Sequence, residues 1–169
     1  MRFTPAAAAL SLLAAVTTSA SFSAAPAAQM DPRASALVAQ GRASLAAGEV
    51  DAAIDAYEAA LTVQPGNVVI YLNLAEATRR QGLQGKALHY YREALEREPQ
   101  NVWAISGEGA ALVEKGAVEK ARRNLTRLQG LCGVNCDAAR QLAAAIAKGP
   151  APRVLTAEAI KPEPVVTAN

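Results

Sequence analysis

The sequence predicts an all-α protein, a stack of three helical hairpins closed by a further C-terminal helix, and three observations point there. The chain repeats itself three times with a period of about 34 residues. A glycine recurs at the same place in every repeat, at Gly48, Gly82 and Gly116. Hydrophobic residues make up 51% of the 169 residues but aromatics only 4%, so much of the apolar content is alanine. Small side chains give a thin round core but suit helices whose axes approach closely.

The first element lies before the repeats. Arg2 is followed by an apolar run over residues 6–16 and then by small residues through Ala28. That order is the order of a secretory signal peptide: positive start, short hydrophobic segment, small-residue cleavage zone. Residues 1–27 are therefore read as a leader, with cleavage before Ala28 and an alternative after Ala20. The run is short for a membrane span, and no cysteine stands at the boundary to carry a lipid, so no stable membrane anchor is expected. Residues 28–33 are read as a short linker.

Three blocks follow, 34–67, 68–101 and 102–135, and their register is visible in the residues. Block position 8 holds Gly41, Ala75 and Gly109, and position 20 holds Ala53, Ala87 and Ala121. Small residues at both places let the two helices of a hairpin pack closely. Position 24 holds Tyr57, Tyr91 and Leu125, bulky groups expected to fill the gap between neighbouring hairpins. Position 27 holds Ala60, Ala94 and Leu128, and position 32 holds Pro65, Pro99 and Gly133. The prolines stop the second helix of a block before the next begins. The glycines at position 15 fall where the chain reverses between helices and positive φ is useful.

This pattern resembles the tetratricopeptide repeat, whose signature is small at 8, Gly at 15, Ala at 20, aromatic at 24, Ala at 27 and Pro at 32. The third block departs at 24, 27 and 32, and the usual Trp at position 4 is replaced by Leu37, Tyr71 and Ile105. The resemblance implies a right-handed superhelical stack, in which an atypical last repeat is common. Residues 136–149 are read as a capping helix, with Leu142 and Ile146 four residues apart and Gly149 and Pro150 ending it. Prolines 150, 152, 162 and 164 leave residues 150–169 a proline-rich disordered tail.

Little in the chain suggests catalysis, and the protein is read as a non-enzyme without cofactor or metal. One histidine and two cysteines leave scant material for a metal site. His89 has no cysteine or acid at ligand spacing and reads as an exposed helix residue. No HExxH or GxSxG occurs, and the turn from Gly82 to Ala87 lacks the spacing of a phosphate loop. Glu93, Glu96 and Glu98 beside Arg92 and Arg97 read as a solvated helix face with mixed ion pairs. The 17 basic and 15 acidic residues are interspersed along the helices, which gives no footprint for nucleic acid. Cys132 and Cys136 form CxxxC at the junction of third hairpin and cap, and in an oxidising compartment so close a pair reads as a disulfide pinning the cap. Free thiols and a redox pair are the alternatives, the latter disfavoured because the spacing is not CxxC.

What remains is a surface. The resemblance implies that the first helices of the hairpins line a concave face through block positions 2, 5, 9, 12 and 13. On that face it places Val38, Arg42, Val69, Leu72, Glu76, Arg79, Arg80, Trp103 and Ser106 as partner contacts, with Asn73 beside them. Some members of the family clasp a terminal carboxylate with lysines and asparagines; Asn73 matches one such position, but Val38, Arg42, Trp103 and Gly107 fill others, so the clamp is largely absent. Arg79 and Arg80 read either as carboxylate partners or as a solvated helix end, and Trp103 either as an anchor or as core. The expectation is an exported, periplasmic scaffold or adaptor that takes a peptide or helix of a cell-envelope protein. A self-associating module that forms homo-oligomers is the alternative, and a thiol-redox helper is a third reading.

Overall fold

The computed structural model describes residues 29–150; the leader read in residues 1–27 and the tail beyond Pro150 lie outside the described residues. Seven helices make up the described part: α1 (Pro32–Ala46), α2 (Val50–Val63), α3 (Val68–Arg80), α4 (Gln84–Arg97), α5 (Val102–Glu114), α6 (Val118–Cys132) and α7 (Asp137–Lys148). No strand occurs among the described residues.

One local device reverses the chain inside every hairpin. Gly48, Gly82 and Gly116 adopt φ of 84°, 84° and 86°, and the amide after each glycine returns to a carbonyl of the last helical turn. Glu49 N donates to Ser44 O at 2.9 Å, Leu83 N to Thr78 O at 2.9 Å and Ala117 N to Leu112 O at 2.8 Å. These bonds satisfy carbonyls that a helix end leaves open, in a conformation that a side chain on the glycine would strain. Between hairpins, Asn67 and Asn101 cap the next helix: Asn67 Oδ1 accepts from Val69 N at 2.9 Å, and Asn101 Oδ1 from Ala104 N at 2.9 Å. Helix α1 begins at Pro32, inside the segment read as linker, because Asp31 caps it (Arg33 N to Oδ1, 2.7 Å) and proline suits the first helical turn.

The hairpins pack as two layers. Backbones of α1 and α3, and of α3 and α5, are in contact, whereas those of α2, α4 and α6 stay apart. The first helices therefore form an inner, crowded layer and the second helices an outer, splayed one, the curvature of a solenoid. Helix α7 packs on α5 and α6, where the inner helix of a fourth hairpin would lie.

Small residues at block position 8 set the approach distances. A Cβ placed on Gly41 would lie 2.4 Å from the ring of Tyr57, which is fully buried. Tyr57 thus fills space within its own hairpin as well as packing with Ile70 and Leu74 of the next, more than the gap-filling role expected of it. Gly109 receives Leu142 of α7 instead, the leucine methyls falling 2.6 Å from a hypothetical Cβ. This accounts for the irregular third repeat: Leu125 at position 24 is only half-buried, and the cap supplies the bulky group. Burying Leu142 fully contributes on the order of 1.5–3 kcal/mol.

Charge on the outer layer is not interspersed as the linear sequence suggested. Helix α2 carries Asp51, Asp55 and Glu58 and no base. Helix α6 carries Lys120, Arg122, Arg123 and Arg127 against Glu119 alone. Mixed signs persist within α4, so the overall balance concealed an acidic first hairpin and a basic third one.

Candidate functional site: the concave groove

The inner layer encloses a groove of about 920 Å³, walled by α3, α5 and α7. Helical spacing brings its residues together: Leu72, Glu76, Arg79 and Arg80 project from α3, and Trp103, Gly107, Ala110 and Glu114 from α5. Gln141, Ala145 and Lys148 close the far side from α7.

A fixed ion-pair network forms one wall. Arg79 donates to both oxygens of Glu76, Nη2 to Oε1 at 3.0 Å and to Oε2 at 2.9 Å, and through Nη1 to Glu114 of the neighbouring hairpin. Its side chain is 24% exposed. Burial opposes the charge, but the two carboxylates outweigh it and raise the Arg79 pKa further above its ordinary value. Arg79 is therefore engaged within the fold while still bordering the groove. Arg80 stays half-exposed at 52% while pairing with Glu76 at 2.8 Å. It remains on the rim.

Two other expected contacts are covered. Val38 is 3% exposed and packs in the core beneath α1, because it falls on the stripe facing α2 and α3. Ser106 is 5% exposed and donates its hydroxyl to Ala138 O at 2.9 Å; the cap helix sits on it. Val38 is turned into the core, whereas Ser106 borders the groove with little of its surface open. Arg42 and Val69 are exposed, with Arg42 Nε reaching Asn73 Oδ1 at 3.4 Å and Asn73 Nδ2 held by Val69 O at 2.6 Å. These three lie along the α1 and α3 side of the same inner face.

Trp103 stands 49% exposed on the groove wall, so the structure places it on the surface and not in the core. Tyr91, read as filler, also reaches the groove. Its ring lies against Gly107, where an added Cβ would be 2.3 Å away, and its hydroxyl points to Glu76 at 3.5 Å. Burial, and next the Glu76 charge, push its phenol well above the ordinary range. Gly107, a glycine within a helix where the other two blocks carry Ala39 and Asn73, was the available signal. The contribution of α7 was missed because a cap was expected to cover the stack's end, and the inner-layer position of that helix is what makes it a groove wall.

Cys132 and Cys136 face one another across the α6 to α7 corner, with Cα atoms 5.8 Å apart. No group of three or more His, Cys, Asp or Glu is arranged to hold a metal among the described residues.

Comparison with known proteins gives this geometry its family. The tetratricopeptide repeat model matches residues 5–68 and 38–102. Cellulose synthase 2 operon protein C of Komagataeibacter xylinus is 40% identical over 96 residues, 56% of this chain. Protein CTR9 homolog of Arabidopsis thaliana is 31% identical over 102 residues, 60% of this chain. The chain spans only 7% and 9% of these two relatives. Among solved structures, the first TPR of Spaghetti (RPAP3) bound to the HSP90 peptide SRMEEVD aligns with TM-score 0.60 at 27% identity, covering 68% of this chain and 94% of that one. The Sgt2 TPR domain from Aspergillus fumigatus gives TM-score 0.63 at 27% identity, covering 75% and 91%. The TPR2B domain of yeast Sti1, in its pHsp70 complex, has the same fold, with TM-score 0.64 at 19% identity, covering 70% and 96%. With a family model matching more than half of its length and a stack of helical hairpins reversed by the same glycine turn, the chain belongs to the tetratricopeptide repeat family.

Proposed function

We propose that the protein is an exported, non-catalytic scaffold or adaptor of the bacterial periplasm, whose concave groove takes a peptide or helical segment of a cell-envelope protein. One observation carries the reading: an open groove of about 920 Å³ in which a half-exposed tryptophan stands beside Leu72 and under a charged rim. Large aromatics in such places are anchors, since they bury much area with few rotamers to lose. A solved neighbour at 27% identity holds a short peptide, which supports a peptide-sized ligand. Export rests on the order of features in residues 1–27. The closeness of Cys132 and Cys136 supports a disulfide in an oxidising compartment, where closing so short a loop contributes roughly 2 kcal/mol.

The groove is tested by affinity capture from the cell envelope with wild type and with Trp103→Ala/Arg80→Ala. Arg79 is left intact so that loss of binding is not loss of fold. Disappearance of specific partners from the variant is expected; an identical set of partners would overturn the groove assignment. Thiol alkylation of protein trapped in cells tests the compartment, with an unreactive Cys132 and Cys136 pair expected and free thiols contradicting it.

A further inference from the structure

The outward surface of the second helices, on the side away from the groove, carries a charge pattern that a second copy of this chain would complement. Block position 22 points outward in every repeat and holds Asp55 in α2, His89 in α4 and Arg123 in α6, all exposed. Around it the trend continues. Lys120, Arg123 and Arg127 recur at three- and four-residue spacing along one exposed stripe of α6. In α2 the positions equivalent to Lys120 and Arg127 are Ala52 and Ala59, so the acidic helix is low where the basic one is tall. Asp51 lies one turn before Asp55, and Glu49 at the helix start adds a fourth anion to Asp51, Asp55 and Glu58. Glu58 is engaged by Lys86 at 2.9 Å and Asp51 by Gln81, while Arg127 donates to Pro99 O. No partner within the fold meets Asp55, Lys120 or Arg123 among the described residues.

We infer that the outer face is a self-association surface, on which two copies meet antiparallel so that the acidic α2 of each faces the basic α6 of the other. A two-fold arrangement matches both pairs at once and closes the assembly as a dimer. It leaves the near-neutral α4 opposite itself. Charge complementarity of this kind sets orientation and association rate, and it weakens with salt. A polyanion lying along the outer face, whether nucleic acid or an anionic membrane, would meet attraction at α6 and repulsion at α2. A second copy meets attraction at both.

The test uses the purified protein and two charge reversals, Arg123→Glu/Arg127→Glu and Asp51→Lys/Asp55→Lys, by sedimentation velocity at about 20 mM and about 500 mM salt. Wild type is expected to dimerise at low salt and to bind itself at least about tenfold more weakly at high salt. Each reversal alone juxtaposes like charges and is expected to be monomeric. An equimolar mixture of the two restores opposite charges at both contacts and is expected to dimerise again. Monomeric wild type at about 100 μM in low salt, reversals that dimerise alone, or a mixture that stays monomeric would each overturn the inference. Circular dichroism confirms that the variants are folded, and Arg123→Gln/Arg127→Gln reads the same loss of self-binding should a reversal unfold the chain.

Discussion

Replacing Arg79 with alanine is expected to destabilise the fold far more than replacing Arg80, although the two residues are adjacent and equally charged. Arg79 is 24% exposed and bridges Glu76 of its own helix to Glu114 of the next hairpin. Its loss to Glu76 is mitigated, because Glu76 keeps Arg80 at 2.8 Å. Glu114 fares worse: its Oε2 is already buried without a hydrogen-bond partner among the described residues, and Arg79 is its only charge partner there. Breaking a fully buried pair from one side costs about 3–5 kcal/mol. Partial exposure and the surviving Arg80 pair lower this to about 2–3 kcal/mol, or roughly 8–12 °C in Tm at about 4 °C per kcal/mol. Arg80→Ala removes an ion pair that is half in water and should cost about 0.5 kcal/mol or less. Urea unfolding of the two variants, with the m-value checked for constancy, measures both. Adding Glu114→Gln to Arg79→Ala should recover about 1 kcal/mol by removing the stranded charge. A loss for Arg79→Ala no larger than for Arg80→Ala, or a further loss on adding Glu114→Gln, would refute the reasoning.

Three further outcomes are expected. Leu142→Ala empties the space over Gly109 and should lower unfolding free energy by about 2–4 kcal/mol in the same urea assay; a change below about 1 kcal/mol would show that α7 is not an integral part of the stack. Gly41→Ala places a methyl 2.4 Å from the buried Tyr57 ring and should cost about 1–3 kcal/mol through overpacking, whereas Gly85→Ala, with open space around it, should be neutral or slightly stabilising by melting temperature. At high pH the sign follows from Tyr91, whose folded pKa is raised by burial and then by Glu76. An unfolded phenol ionises near about 10, so this contribution is complete below that value and is lost as pH rises above it. Melting temperatures should therefore fall steeply above about pH 10, and Tyr91→Phe should flatten that fall.

The repeating local devices were legible in the sequence because each is decided by a residue acting on its own backbone. Glycine at 48, 82 and 116 marks a reversal wherever it recurs, and Pro65 and Pro99 end helices by geometry alone. The asparagines that end the first two blocks were equally readable as caps but were not read so. Contacts that depend on two helices meeting were less accessible. Val38 and Ser106 occupy groove positions by count, yet the closeness of α1 to its neighbours and the seating of α7 cover them. Arg79 looked like a surface cation because Glu114 lies a full repeat away in sequence. Charge segregation needed no contact to be seen, since Asp51, Asp55 and Glu58 fall in one stretch and Lys120, Arg122, Arg123 and Arg127 in another, but a net charge summed over the whole chain masks it.

Trp103 is the only tryptophan in the chain, and its emission reports directly on whether the concave groove receives the partner. Titrating a protein partner captured through the groove, with acrylamide as quencher, is expected to shift the emission to shorter wavelength and to protect it from quenching as the half-exposed ring is buried. Saturable binding that leaves both the emission and its quenching unchanged would place the partner elsewhere on the molecule and contradict the groove as the functional site.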